Sequence, residues 1–72
     1  MHTFVLNSQE YDGHHEVHDV ETHCASRTFP EPGNQINLGE HPGCVTAIAK
    51  AELLYPSWDI DGCYYCTECH TK

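Results

Sequence analysis

Apolar and polar positions sort into short segments with different periods. Residues 2–7, His-Thr-Phe-Val-Leu-Asn, are rich in strand formers and predict a short β-strand. Asp12-Gly13 is a turn signal. Residues 15–21 alternate, with His15, Val17 and Asp19 opposing Glu16, His18 and Val20. Together these predict an N-terminal β-hairpin over residues 2–21. Residues 26–43 hold Pro30, Pro32, Gly33, Asn34, Asn37, Gly39, Pro42 and Gly43 and read as a long irregular loop. Compact domains keep such a loop only when something pins it. Residues 44–55 predict the one helix, because Val45, Ile48, Ala49 and Leu53 share a face at three- and four-residue spacing. Pro56 cannot continue it. Asp61-Gly62 marks another turn, and a cysteine cluster follows. The order strand, strand, loop, helix, knuckle predicts a small α+β domain.

The core available to this domain is thin. Its large candidates are Phe4, Val5, Leu6, Val17, Val20, Phe29, Ile36, Leu38, Val45, Ile48, Leu53, Leu54, Trp58 and Ile60. A chain of 72 residues is read as one domain over residues 1–72, and a domain that small needs a staple. Five Cys and seven His are the informative excess. An odd cysteine count argues against a fully paired disulfide framework. The first ten residues carry no basic region and only a three-residue apolar run, unlike a signal peptide, and no segment is long and apolar enough for a bilayer. The expectation is a reducing, cytoplasmic compartment, where clustered cysteines signal metal rather than disulfides.

Cys63, Cys66 and Cys69 stand three residues apart. A C-x-x-C pair bends into a knuckle that aims both sulfurs at one ion, as tetrahedral zinc requires. Cys66-Thr-Glu-Cys69, preceded by the aromatic pair Tyr64-Tyr65, is the preferred pair. His41-Pro-Gly-Cys44 repeats the spacing at the start of the helix and supplies the other two ligands. The expected structural Zn2+ site is thus His41, Cys44, Cys66 and Cys69. Cys63, Cys24, His23 and His70 compete for the same roles, and a second zinc is arithmetically open. The alternative for any one of these cysteines, Cys24 above all, is a small buried hydrophobe.

A knuckle facing a helix N-terminus resembles treble-clef and related zinc fingers, here with the helix before the knuckle. The resemblance covers about the last thirty residues and implies a zinc-stabilised fold.

Other chemistries fit the same residues. Cys66-Thr-Glu-Cys69-His70 matches the haem c attachment motif. Cys63, Cys66 and Cys69 match the first three ligands of a bacterial ferredoxin run, with Cys24 or Cys44 left to serve as the fourth. Cys66-Thr-Glu-Cys69-His70-Thr-Lys72 resembles the closing segment of HNH nucleases, with Asp12-Gly13-His14-His15 as their start, which would imply a metal-dependent nuclease. His14 and His18 are four apart, but His15 holds the place where a zincin has Glu, which excludes a metalloprotease. The remaining reading of residues 10–24 is a solvated hairpin face, with a second metal site as its alternative.

Net charge changes the picture of partners. At -8, with only Arg27, Lys50 and Lys72 positive, the chain lacks the clustered cations that a phosphate backbone demands. Nucleic acid and membrane are therefore not expected partners; a protein with a basic surface is. The functional expectation is a non-enzymatic zinc-stabilised module that binds a protein partner. Its small size and its His and Cys content also resemble bacteriophage accessory proteins that act on a host factor.

Overall fold

The computed structural model describes residues 1–22, 24 and 28–71, and the fold is a small α+β domain. His23, Arg27 and Lys72, which entered the reading of ligands, charge and the nuclease-like tail, lie outside the described residues. Strand β1 (His2–Asn7) pairs antiparallel with β2 (His15–Asp19), as the hairpin expectation required. Tyr11 and His14 exchange both backbone hydrogen bonds across the turn, at 2.8 and 3.0 Å. Between them Asp12 and Gly13 have φ of 51° and 85°, the two left-handed residues of the hairpin turn that favours Asp-Gly.

Two further strands complete a sheet in the order β3-β1-β2-β4. Strand β3 (Gln35–His41) lies antiparallel to β1, in the segment expected to be irregular loop. The many Pro and Gly residues hid it. Pro32 and Gly33 sit in a single 3-10 turn before the strand, Pro42 and Gly43 follow it, and Gly39 serves a register slip opposite Phe4. Strand β4 (Ile60–Gly62) runs parallel to β2, with Val17 opposite Gly62.

Helix α1 (Cys44–Leu54) packs on one face of the sheet. Its buried positions are Cys44, Ala47 and Ala51, against Phe4, Leu6, Val17, Leu38 and Ile60. Val45, Leu53 and Leu54, expected in the core, are instead exposed, the first two to 74% and 77%. The bulk of the core comes from the strands, and only small side chains let the helix approach it. Val20 is also exposed. Beyond the helix, Trp58 is sandwiched between Tyr55 and His15, with ring centres 4.1 and 3.8 Å away. No helix among the described residues is long and apolar enough to cross a membrane.

Strand alternation sends Val5, Asn7, Glu16 and His18 to the other face. The chain after β2 covers that face: Asn7 donates to the Thr28 carbonyl at 2.8 Å, and the Phe29 ring meets His18 edge-on at 5.2 Å. His14, His15 and His18 are all buried, so these described histidines do not lie on the solvated face expected of the stretch.

Candidate metal centre

Three backbone devices converge on one point beneath that covering chain. The first is register: Val5 pairs with His18, so the imidazole stands on the covered face, fully buried. The second is a turn at the end of β2. The Asp19 carboxylate accepts hydrogen bonds from the Glu21 backbone N–H and the Thr22 hydroxyl, both at 3.0 Å, and reverses the chain so that Cys24 returns above His18. The third is β4. Its parallel ladder with β2 ends with the Cys63 N–H donating to the Val17 carbonyl at 2.9 Å. The Cys63 carbonyl then accepts from the Thr67 N–H at 3.1 Å and the Thr67 hydroxyl at 2.8 Å. This closes Cys63-Tyr-Tyr-Cys66 into a knuckle.

The result is a four-donor cluster of His18, Cys24, Cys63 and Cys66, with all four ligand atoms within 4.8 Å of one another. His18 Nδ1 lies 3.6 Å from Cys66 Sγ and 3.8 Å from Cys24 Sγ, and Cys24 Sγ lies 3.7 Å from Cys63 Sγ. Such a group can hold one metal ion.

Gly62 is required for this approach. A Cβ there would stand 2.5 Å from the Thr67 hydroxyl oxygen, 2.9 Å from Cys69 Cβ and 3.0 Å from the Cys69 backbone. The chain after the knuckle folds back directly over that glycine. Cys66 lines a cavity of about 410 Å³ and Cys24 one of about 270 Å³.

Burial sets the protonation of the donors. It lowers the His18 pKa to about 4, against a smaller opposing pull from Glu16, so the imidazole is neutral at pH 7 and able to ligate. Burial also pushes the Cys66 thiol up, reinforced by hydrogen bonding with Cys24 and by the proximity of Cys63. A metal ion supplies the positive charge that favours thiolates in such a pocket. Beyond the cluster, Glu16 lies between two histidines: His18 Nε2 and His14 Nε2 are each 3.6 Å from its carboxylate. Both nitrogens are buried and without a hydrogen-bond partner among the described residues. Thr28 donates its hydroxyl to the same carboxylate.

The structure does not gather His41, Cys44, Cys66 and Cys69 as one set. Cys44 and Cys69 form a disulfide that ties the start of α1 to the tail, so their sulfurs are bonded to each other. His41 uses Nε2 on the Leu38 carbonyl at 2.8 Å and Nδ1 on the Thr46 hydroxyl at 3.1 Å. His70 turns its Nδ1 to the Gly62 carbonyl and the Asp61 carboxylate. Cys66 is in the cluster, as are Cys63 and Cys24, which sequence placed behind it. The C-x-x-C-H stretch is thereby divided: Cys66 enters the cluster, Cys69 the disulfide, and His70 neither. His18 was missed as a ligand. Its one signal was alternation, which put it on the same strand face as Glu16 and His14. No protein family, characterised protein or solved structure shows significant similarity to this chain.

Proposed function

We propose that this chain is a non-enzymatic module, stabilised by one structural zinc ion, that binds a protein partner with a basic surface. The distances in the four-donor cluster carry the reading. Tetrahedral zinc, with bonds of about 2.3 Å to sulfur and about 2.0 Å to nitrogen, puts sulfurs about 3.8 Å apart and nitrogen about 3.6 Å from sulfur. In the structure the two nitrogen–sulfur separations are 3.6 and 3.8 Å and the Cys24–Cys63 sulfur separation is 3.7 Å. Three sulfurs and one neutral imidazole form the closed Cys3His set of structural zinc, which leaves no position for substrate. The donors come from β2, the following turn and the knuckle after β4, so the ion would join segments far apart in sequence. The partner follows from charge: at -8, the chain's field attracts a basic surface and repels phosphate backbones.

Native mass spectrometry with elemental analysis tests the zinc role. One zinc per chain is expected, with loss of near-UV and far-UV circular dichroism when a chelator removes it. A fold that persists after complete removal would overturn the structural role. Retention on duplex DNA at moderate salt would overturn the partner assignment.

A further inference from the structure

Helix α1 turns its small residues inward and its larger apolar ones outward. Cys44, Ala47 and Ala51 are buried, whereas Val45, Ala49 and Leu53, spaced four apart, form a ridge on the opposite side. Val45 and Leu53 are 74% and 77% exposed. Beside the ridge a groove of about 520 Å³ runs between the helix and the β4–tail segment, with Ile48 and Ile60 in its lining. Val45 and Ala49 also line the groove, so the ridge forms one of its walls.

We infer that this ridge and groove form a docking surface for an amphipathic helix of a partner protein, with an apolar stripe flanked by Lys or Arg. The inference rests on the reading of the chain as a partner-binding module. Charge selects the occupant. Glu52 lines the groove with an exposed side chain, whereas the Asp61 carboxylate is buried and accepts hydrogen bonds from Thr71; among the described residues no Lys or Arg lines the groove. Lys50, the one cation on the helix, lies about 100° round it from Ala49. A second copy would set Glu52 against an equally acidic molecule, since each copy would bring a net charge of -8. A basic helix instead meets opposite charge at the edge and apolar side chains at the centre, the helix-in-groove mode of recognition.

The test uses the full, metal-loaded chain and a labelled synthetic peptide, followed by fluorescence anisotropy. The peptide has about 18 residues, with leucine at helical three- and four-residue spacing and lysine elsewhere. Binding is expected, as is at least tenfold weaker binding by a Val45→Ser/Leu53→Ser variant whose metal content and circular dichroism match the parent. The substituted side chains are exposed, so the fold is expected to survive. A peptide with glutamate in place of lysine is expected not to bind, and one with serine in place of leucine to bind at least tenfold more weakly. Equal binding by parent and variant would overturn the proposal, as would equal binding of the lysine and glutamate peptides. A parent that sediments as a dimer, with a monomeric variant, would assign the face to self-association instead. Metal content is read separately. A chain without zinc that still binds through this ridge would remove the zinc reading alone, and a loaded chain that ignores the peptide would remove the docking surface alone.

Discussion

His18 is the residue on which the centre turns. A buried ring nitrogen without a partner costs about 1–3 kcal/mol, and His18 Nε2 is such an atom. If metal takes Nδ1, the proton resides on Nε2, and the Glu16 carboxylate stands 3.6 Å away, at ion-pair rather than hydrogen-bond distance. A carboxylate behind a ligating histidine fixes its tautomer and ring orientation. Glu16→Gln is therefore expected to weaken zinc binding by about 10- to 100-fold, read by competition with a chromogenic chelator. His18→Ala, Cys63→Ser and Cys66→Ser should each cost far more, while Cys44→Ser should leave zinc affinity near that of the parent. Equal zinc loss in Cys44→Ser and Cys66→Ser would place the ion elsewhere. At this scale the site was only half legible in sequence. Cys63-x2-Cys66 and Cys66-x2-Cys69 have identical spacing, and spacing alone cannot choose between two overlapping knuckles. The choice is made by the ladder that places Cys63 against Val17 and by the disulfide that removes Cys69. His18 was illegible because whether a strand histidine is solvated or covered depends on a chain segment that follows it.

At the scale of elements, the parallel strand β4 and the disulfide position the knuckle by different means. β4 is three residues long, too short for periodicity to reveal, and its Gly62 was read only as a turn signal. A methyl group on Gly62 would meet backbone as well as a hydroxyl, and backbone does not yield cheaply. Gly62→Ala is expected to cost about 1–3 kcal/mol of stability and to lower zinc affinity with it, measured by urea denaturation at fixed zinc concentration. A variant as stable as the parent would mean that the tail lies away from β4. The Cys44–Cys69 bond spans 25 residues. In the chain-entropy description, closing a loop of that size contributes about 3.5 kcal/mol. The Cys44→Ser/Cys69→Ser variant should lose stability of that order and still bind one zinc, a combination that urea denaturation and elemental analysis check together. The helix itself was legible in extent. The orientation of its apolar face was not, because a thin sheet core filled from the strands accepts alanine rather than leucine.

For the whole molecule, the staple expected of a thin core takes two forms, a disulfide on the helix side of the sheet and a four-donor cluster on the other. Acid distinguishes the second. The His18 pKa is lowered to about 4 in the folded chain, below its ordinary 6.5. Between those values the unfolded chain binds a proton that the folded chain refuses, so stability falls as pH drops from 6.5 towards 4 and is insensitive to this group above 6.5. The span corresponds to about 3 kcal/mol. If the cluster holds zinc as proposed, protons competing for its thiolates act in the same direction. Burial raises the Asp19 pKa, but hydrogen bonds from His2, the Glu21 N–H and Thr22 outweigh it and hold the carboxyl below its ordinary value. Its contribution is present above the ordinary carboxylate range and is lost only at more acidic pH, after the His18 loss has begun. Urea midpoints of the zinc-loaded chain should therefore fall from about pH 8 downward, where protons begin to compete for the thiolates, and fall more steeply below about 6.5, where His18 adds its share. A midpoint that rises on acidification would contradict the burial of His18.

The central claim is that one ion is held by His18, Cys24, Cys63 and Cys66. Cadmium-113 substitution with cadmium–proton correlation NMR tests it most directly, because scalar coupling across the metal–ligand bond identifies each ligand by residue. The expected spectrum correlates one cadmium resonance with the Cβ protons of Cys24, Cys63 and Cys66 and with the ring protons of His18. Correlations to Cys44, Cys69 or His41, or the absence of any bound cadmium, would contradict it.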